Sequence, residues 1–431
     1  MRVSQSVART FQTLCNASAR QQLQQCSNRR CSVQAARKKT VSETPIIGTS
    51  LPPTIQLGDS PQQSPFYETP EIIINETRIQ EQTMAARRSE VRSKIREIEE
   101  RTGKIPLVDS FARVHNYLRI SLTETCNFSC SYCMPAGGVD GHSKSDLMTN
   151  EEIIVLARVF ARRGINKIRL TGGEPTLRKD LHKLIAELKK IDGIDDIGIT
   201  TNGLILGRQL DQLKAAGLDK INISLDTLIP RRFEQMTKVF GFEKVFKAID
   251  ATEAAYGRVK VNVVVIRGFN TDELTSFVHA TKNRNWDVRF IEFMPFGGND
   301  FKDDKFVGYS EQLEIIRKDF GNQIVRLQDS PNDTSKAYKI IGHRGQFGFI
   351  SSMSDNFCST CNRVRLTANG NLKVCLHSNA EVSLVDALRR GGTERNVEEI
   401  IEKALWKKKA EHAGLEMLPH MENRPMVLIG G

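Results

Sequence analysis

Aromatic residues make up only 6% of the 431-residue chain, and hydrophobic residues total 39%. No apolar run approaches the roughly 18 residues that a membrane-spanning helix needs. The chain therefore reads as globular with no membrane partner, long enough for one large domain or two smaller ones. Acidic residues are missing from the first 42 positions, which hold eight Arg or Lys before the first acid, Glu43. Cysteine is nearly absent from the body. The nine cysteines are Cys15, Cys26 and Cys31 near the N-terminus and two triplets, Cys126, Cys130, Cys133 and Cys358, Cys361, Cys375. Two triplets in a chain of this length do not make a disulfide scaffold, and metal ligation is the better account.

The net charge is +11, but without the eight basic residues of the first 42 positions only +3 remains for the other 389. A zinc-stabilised nucleic-acid-binding protein would need a basic body with interleaved surface aromatics, and neither is present, so no nucleic-acid partner is expected. Residues 1–42 are rich in Arg, Ser and Gln and lack the apolar core of a secretory signal. They fit a transit peptide, to the mitochondrial matrix first because Arg dominates, with a plastid as the alternative. Residues 43–105 read as a linker followed by a charged helix, "RRSEVRSKIREIEERTG".

From residue 106 to about 300 the pattern is a regular alternation. Strands are expected at 118–123, 167–173, 196–203, 220–226, 259–266 and 288–294, most of them nearly continuous in apolar residues, as if buried on both faces. Helices fill the gaps, the first opened by a capping box of Thr149 and Glu152. Further helices are expected near 180–190, 206–217, 242–256 and 271–285. Six strands alternating with helices imply a parallel sheet curled by right-handed crossovers into an incomplete (β/α)6 barrel, with a flat doubly wound sheet as the alternative. Residues 301–431 change character to shorter strand-like pieces around the second triplet, an α+β region that includes a hairpin turn at Asn369–Gly370.

The first triplet, "CNFSCSYC", follows the first strand directly. Three thiolates are one short of a closed tetrahedral zinc site, which a distant His could complete. If three cysteines instead hold an iron–sulfur cluster, one iron stays open to a small molecule. The loop after the second strand is "TGGEP", where Gly172 and Gly173 allow close backbone approach and Glu174 could accept from an ammonium group. Loops in this position form the catalytic face of a β/α barrel. A C-x3-C-x2-C triplet with this turn one strand later resembles the radical S-adenosylmethionine (SAM) superfamily. The second triplet is either a zinc knuckle completed by His377 or a second open cluster. Arg363 and Arg365 follow Cys361 at strand spacing and would make an anion site suited to phosphate.

Taken together, "LRISLTETCNFSCSYCMP", "KIRLTGGEPTLR", "TTNG", "ISLDT", "VKVNVVVIRGFN", "FIEFMPF", "FCSTCNRVRLT…C" and the final "GG" resemble the GTP 3′,8-cyclase (molybdenum cofactor biosynthesis protein A) family over residues 115–431. The resemblance implies a lyase that converts GTP to 3′,8-cyclo-7,8-dihydro-GTP, with another nucleotide as the alternative substrate. It implies two [4Fe–4S] clusters and SAM as cofactors. Cys126, Cys130 and Cys133 would hold the first cluster, and Cys358, Cys361 and Cys375 the second. Tyr132, Gly173, Ser224 and Met294 would contact SAM. Arg119, Lys167, Arg169, Thr200, Lys260, Arg289, Arg363 and Arg365 would contact GTP. Arg363 and Arg365 would also place the substrate, and Gly430 and Gly431 would enter the active site. The family further implies a homodimer, an electron donor that the motifs do not identify, and a cyclic pyranopterin monophosphate synthase acting on the product.

Overall fold

The computed structural model of the chain describes residues 70–135, 137–299 and 301–430. The expected transit peptide, the start of the linker and Gly431 lie outside the described residues. The chain divides into two compact units, Met1–Glu81 and Gln82–Gly431, and the second holds the sheet and the site. The charged stretch forms the C-terminal part of helix α1 (Pro70–Thr102), where Val91 and Ile98 are buried.

The six expected strands are present. They alternate with helices as β1 (Tyr117–Ser121), α2 (Asn150–Arg162), β2 (Lys167–Thr171), α3 (Leu181–Lys189), β3 (Asp196–Thr201), α4 (Leu210–Ala215) and β4 (Lys220–Ser224). Two helices follow, α5 (Pro230–Thr237) and α6 (Phe242–Tyr256), then β5 (Val259–Val265), α7 (Leu274–Ala280) and β6 (Trp286–Glu292). The remainder contributes α8 (Tyr309–Phe320), β7 (Ile324–Arg326), β8 (Lys336–Ile340), β9 (Gln346–Ile350), β10 (Arg363–Leu366), β11 (Asn371–Lys373), β12 (Val382–Ser383), α9 (Val385–Arg389), α10 (Glu394–Trp406) and α11 (Met426–Ile429). Helix α2 starts at the expected capping box: Thr149 Oγ1 accepts from Glu152 N at 3.2 Å, and Glu152 Oε2 accepts from Thr149 N at 2.9 Å. Helices α5 and α8 were not expected from the periodicity.

One sheet carries twelve strands in the order β12-β11-β10-β1-β2-β3-β4-β5-β6-β9-β8-β7. Strands β1 to β6 are all parallel and lie side by side in chain order, so the doubly wound alternative, which reverses strand order, does not apply. The C-terminal region extends this partial barrel at both edges, since β10 pairs parallel with β1 and β9 parallel with β6. Among the described residues β9 and β10 do not pair with each other, and the barrel stays open.

The strands are not buried on two apolar faces as their runs suggested. Leu118, Ile120, Ile168, Leu170, Ile197, Ile199, Ile221 and Ile223 share one face and join a core with Ile153, Leu156 and Phe160 of α2 and Leu184, Ile185 and Leu188 of α3. The alternate positions are polar and line a cavity inside the barrel curve. A strand period of two with one polar face describes the sequence better than a continuous apolar run.

Candidate active site

That cavity has a volume of about 740 Å³, and all eighteen expected residues of the two triplets, the SAM group and the GTP group line it. Topology places the triplets at opposite ends. The chain leaves β1 at its C-terminal end and enters Cys126–Cys133. Cys361 lies just before β10, which runs parallel to β1, and Cys375 follows β11, antiparallel to β10. Both therefore sit at the start of the parallel strands. A five-residue strand at about 3.3 Å per residue puts roughly 15 Å between the two ends.

At the first end, Cys133 N and Met134 N both donate to Cys130 O at 2.9 Å, and Ser129 N donates to Thr237 O at the end of α5. Phe128 N points at Cys126 Sγ at 3.4 Å. Burial drives the Cys130 thiol well up, helped by Asp226 and the other two cysteines, and lifts Cys133 to about 12. Thiols packed this way hold their anionic form only when a strongly cationic group shares the site, which suits iron–sulfur ligation. Among the described residues no three His, Cys, Asp or Glu side chains are arranged around a single metal ion. An iron–sulfur cluster does not need that convergence, because each cysteine takes a different iron.

The turn after β2 serves the triplet loop. Gly173 N donates to Thr123 O at 2.7 Å, and Glu174 N to Thr125 O at 2.9 Å. A Cβ on Gly172 would lie 2.7 Å from Thr123 O, and one on Gly173 would overlap Thr125 O. Both glycines thus make room for the strand leading into Cys126, although Gly173 also faces the cavity. Glu174 differs from expectation. Its Oε1 accepts from Thr176 N (3.0 Å), Thr176 Oγ1 (2.5 Å) and Thr201 Oγ1 (2.7 Å), and its Oε2 from Asn202 N (2.7 Å). Four donors, three of them on Oε1, make Glu174 a brace between the β2 and β3 loops, with Oε2 keeping one further acceptor site. Beside the triplet, Tyr132 donates to Asp226 Oδ2 at 2.9 Å, and burial raises the Asp226 carboxyl to about 6. Asp226 and Asn202 are cavity residues that sequence reasoning passed over; "SLD" and "TNG" at strand ends were their signal.

Towards the second end the cavity is lined by cations held in register. Arg365, Arg119, Arg169 and Gly198 lie side by side on β10, β1, β2 and β3. Thr200, Asn222 and Lys260 do the same on β3, β4 and β5. Arg169 donates from Nη1 to Asn222 Oδ1 (2.9 Å) and from Nε to the Tyr117 hydroxyl (2.9 Å). Burial and the neighbouring Arg365 push Arg119 down to about 9, and burial with Arg289 pushes Lys260 down to about 7. Burial pushes the Tyr117 phenol up, but Arg169 and Arg119 outweigh it and bring the group to about 8. Lys167 Nζ and Arg363 Cζ face the Tyr117 ring at 5.4 and 5.8 Å. The Nε atoms of Arg289 and Arg365 are buried without a hydrogen-bond partner among the described residues. So many cations depress one another unless an anion joins them. The arrangement is built for a polyanion.

The C-terminal segment enters the same space. Helix α11 leads to Gly430, whose φ is +73° and whose carbonyl oxygen lies 3.4 Å from Arg119 Nη2. A Cβ there would lie 2.6 Å from Thr171 Oγ1 and 2.9 Å from Ser121 Cβ. His377, the alternative zinc ligand, stacks on Phe296 with ring centroids 5.5 Å apart.

A model of the radical SAM superfamily matches residues 120–280, and one named Molybdenum Cofactor Synthesis C matches residues 286–414. Fold and site together make this a radical SAM protein. Among curated relatives, the chain is 55% identical over 331 residues to the Caenorhabditis elegans "Molybdenum cofactor biosynthesis protein moc-5", covering 77% of this chain and 55% of that one. It is 48% identical over 326 residues to the Arabidopsis thaliana "GTP 3',8-cyclase, mitochondrial", covering 75% and 83%. It is 41% identical over 333 residues to the Moorella thermoacetica "GTP 3',8-cyclase", covering 75% and 99%. The chain thus spans about half the length of the worm protein and nearly all of the bacterial one. It belongs to the GTP 3′,8-cyclase family of molybdenum cofactor biosynthesis.

Proposed function

We propose that the chain converts GTP to (8S)-3′,8-cyclo-7,8-dihydroguanosine 5′-triphosphate, the first step of molybdenum cofactor biosynthesis. One observation carries the reading: a single cavity has a cysteine triplet at each end and register-matched cations on successive strands. Cys126, Cys130 and Cys133 would hold one [4Fe–4S] cluster, and Cys358, Cys361 and Cys375 a second. The first cluster with SAM would supply a radical able to abstract hydrogen from the ribose. Tyr132, Gly173, Ser224 and Met294 are the residues assigned to SAM.

The protein's own part is to bind and orient the nucleotide. Arg119, Lys167, Arg169, Lys260 and Arg289 stand on strands, whose stiffness fixes a triphosphate better than loop residues would. Thr200 adds a neutral donor, while Arg363 and Arg365 sit next to the second triplet, where the purine end would lie. Gly430, and Gly431 beyond it, would close the cavity near Arg119 and exclude water from the reacting ring. The product would pass to a cyclic pyranopterin monophosphate synthase. A place in the mitochondrial matrix fits the basic N-terminal segment and the mitochondrial name of the Arabidopsis relative, and a homodimer rests on the family resemblance alone.

Anaerobically purified protein incubated with SAM, a low-potential reductant and GTP is expected to form the cyclised nucleotide together with 5′-deoxyadenosine. Turnover of another nucleotide but not of GTP would refute the assignment.

A further inference from the structure

Lys408 lies just past α10 in the run "WKKKAEH", where Lys407 and Lys409 are exposed and Lys408 is only 5% exposed. Its Nζ donates to Cys361 Sγ at 3.3 Å and Arg363 O at 3.2 Å, and lies 2.8 Å from His115 Nε2. A neutral amine offers two N–H groups, whereas an ammonium offers three. Cys361 Sγ and Arg363 O can accept from either form, and fully buried His115 accepts from an ammonium or donates to a neutral amine. Around this group the chain forms a clasp. Arg113 Nε donates to Asp109 Oδ2 at 2.6 Å, while its terminal nitrogens donate to Cys358 O at 2.7 Å, Ala410 O at 2.6 Å and Lys409 O at 2.8 Å. Residues 109–115 and 408–410, far apart in sequence, thus hold the Cys358–Cys361 loop from two sides.

We propose that Lys408 is a positioning residue that sets the reduction potential of the second cluster through its hydrogen bond to the Cys361 sulfur. The assignment rests on reading Cys358, Cys361 and Cys375 as cluster ligands. A hydrogen bond donated to a thiolate ligand stabilises the reduced, more negative state more than the oxidised one, and so raises the potential. The first triplet has the opposite surroundings. Its sulfurs receive neutral donors from Phe128 N and, more distantly, Asn202 Nδ2. Its nearby charges are the carboxylates of Asp226 and Glu174. One chain thus gives its two clusters contrasting electrostatic settings, with the Lys408 amine against the Cys361 sulfur of the second.

The test is a redox titration of the holoenzyme followed by electron paramagnetic resonance, with the two clusters told apart by their response to SAM and to GTP. In Lys408→Met, iron content is expected to match the wild type. The midpoint of the GTP-responsive cluster is expected to move negative while that of the SAM-responsive cluster stays put. Lys408→Arg should fall close to the wild type. An unmoved midpoint with full iron content overturns the proposal. If the Met variant does not hold the second cluster, Lys408→Leu removes the N–H donor with a shorter side chain, and a wild-type midpoint there overturns it too. Loss of the cluster from both variants makes Lys408 a structural anchor, which is equally against tuning. Wild-type protein with iron for one cluster only would strike the second-cluster reading itself.

Discussion

Gly198→Ala adds one methyl group to β3, at a place where the cavity has no room for it. The new Cβ would lie 2.7 Å from Arg169 Cζ and 2.9 Å from both terminal nitrogens of that guanidinium. Nothing in the backbone opposes the change, since Gly198 is an ordinary strand residue paired with Arg169 and Lys220, and alanine in a strand interior gains about 0.5–1 kcal/mol over glycine. The guanidinium must move instead. It then gives up one or more of its bonds to Asn222 Oδ1, Ile199 O and Tyr117 Oη. It also loses its aim at the bound anion. A hydrogen bond to a charged group is worth about 1.5–3 kcal/mol, which is roughly a 10- to 150-fold fall in kcat/KM for GTP. The variant should therefore melt roughly a few degrees below the wild type, because the strand gain offsets only part of a lost buried hydrogen bond, yet carry full iron and still bind SAM, while losing one to two orders of magnitude with GTP. Steady-state kinetics beside a thermal melt decide it. Activity within twofold of the wild type would show that Arg169 does not need the position the glycine leaves open. A large fall in melting temperature would show that Gly198 serves folding instead.

Gly430→Val combines a left-handed residue, costing about 1–2 kcal/mol for a side chain there, with overlap against Thr171 and Ser121. Cyclisation should fall at least about tenfold while iron content and SAM binding persist, as product analysis against iron analysis would show. The pH dependence follows from Lys260, whose ammonium, held down to about 7, loses its proton as pH rises through that value. GTP affinity measured by calorimetry should weaken from pH 6 to 8 relative to Lys260→Arg under the same conditions, since arginine keeps its charge; parallel profiles would refute this.

The parts of the site that were legible in the sequence carry their chemistry within a few residues. Three cysteines at C-x3-C-x2-C, two glycines and a glutamate at a strand end, and Arg363 and Arg365 at strand spacing each make sense locally. Strand positions were equally legible, because β-branched runs end at polar turns; helix α6 was expected at 242–256 and is found at Phe242–Tyr256. What escaped notice depends on register between strands distant in sequence. Gly198 looks like any glycine until Arg169 is laid across it. Glu174 looks free until Thr176, Thr201 and Asn202 converge on it. The runs looked buried on both faces, yet alternation could already point Arg119, Lys167, Arg169, Lys260 and Arg289 at one cavity, and those positions form the second, polar face. Lys408 is the extreme case. In "WKKKAEH" it reads as one of three solvated lysines. It is buried because Val397, Ile401 and Leu405 seat α10 in the core, and because β10 pairs with β1. That pairing brings Arg363 O and Cys361 alongside His115, so a lysine that local sequence assigns to solvent ends up against the Cys361 sulfur.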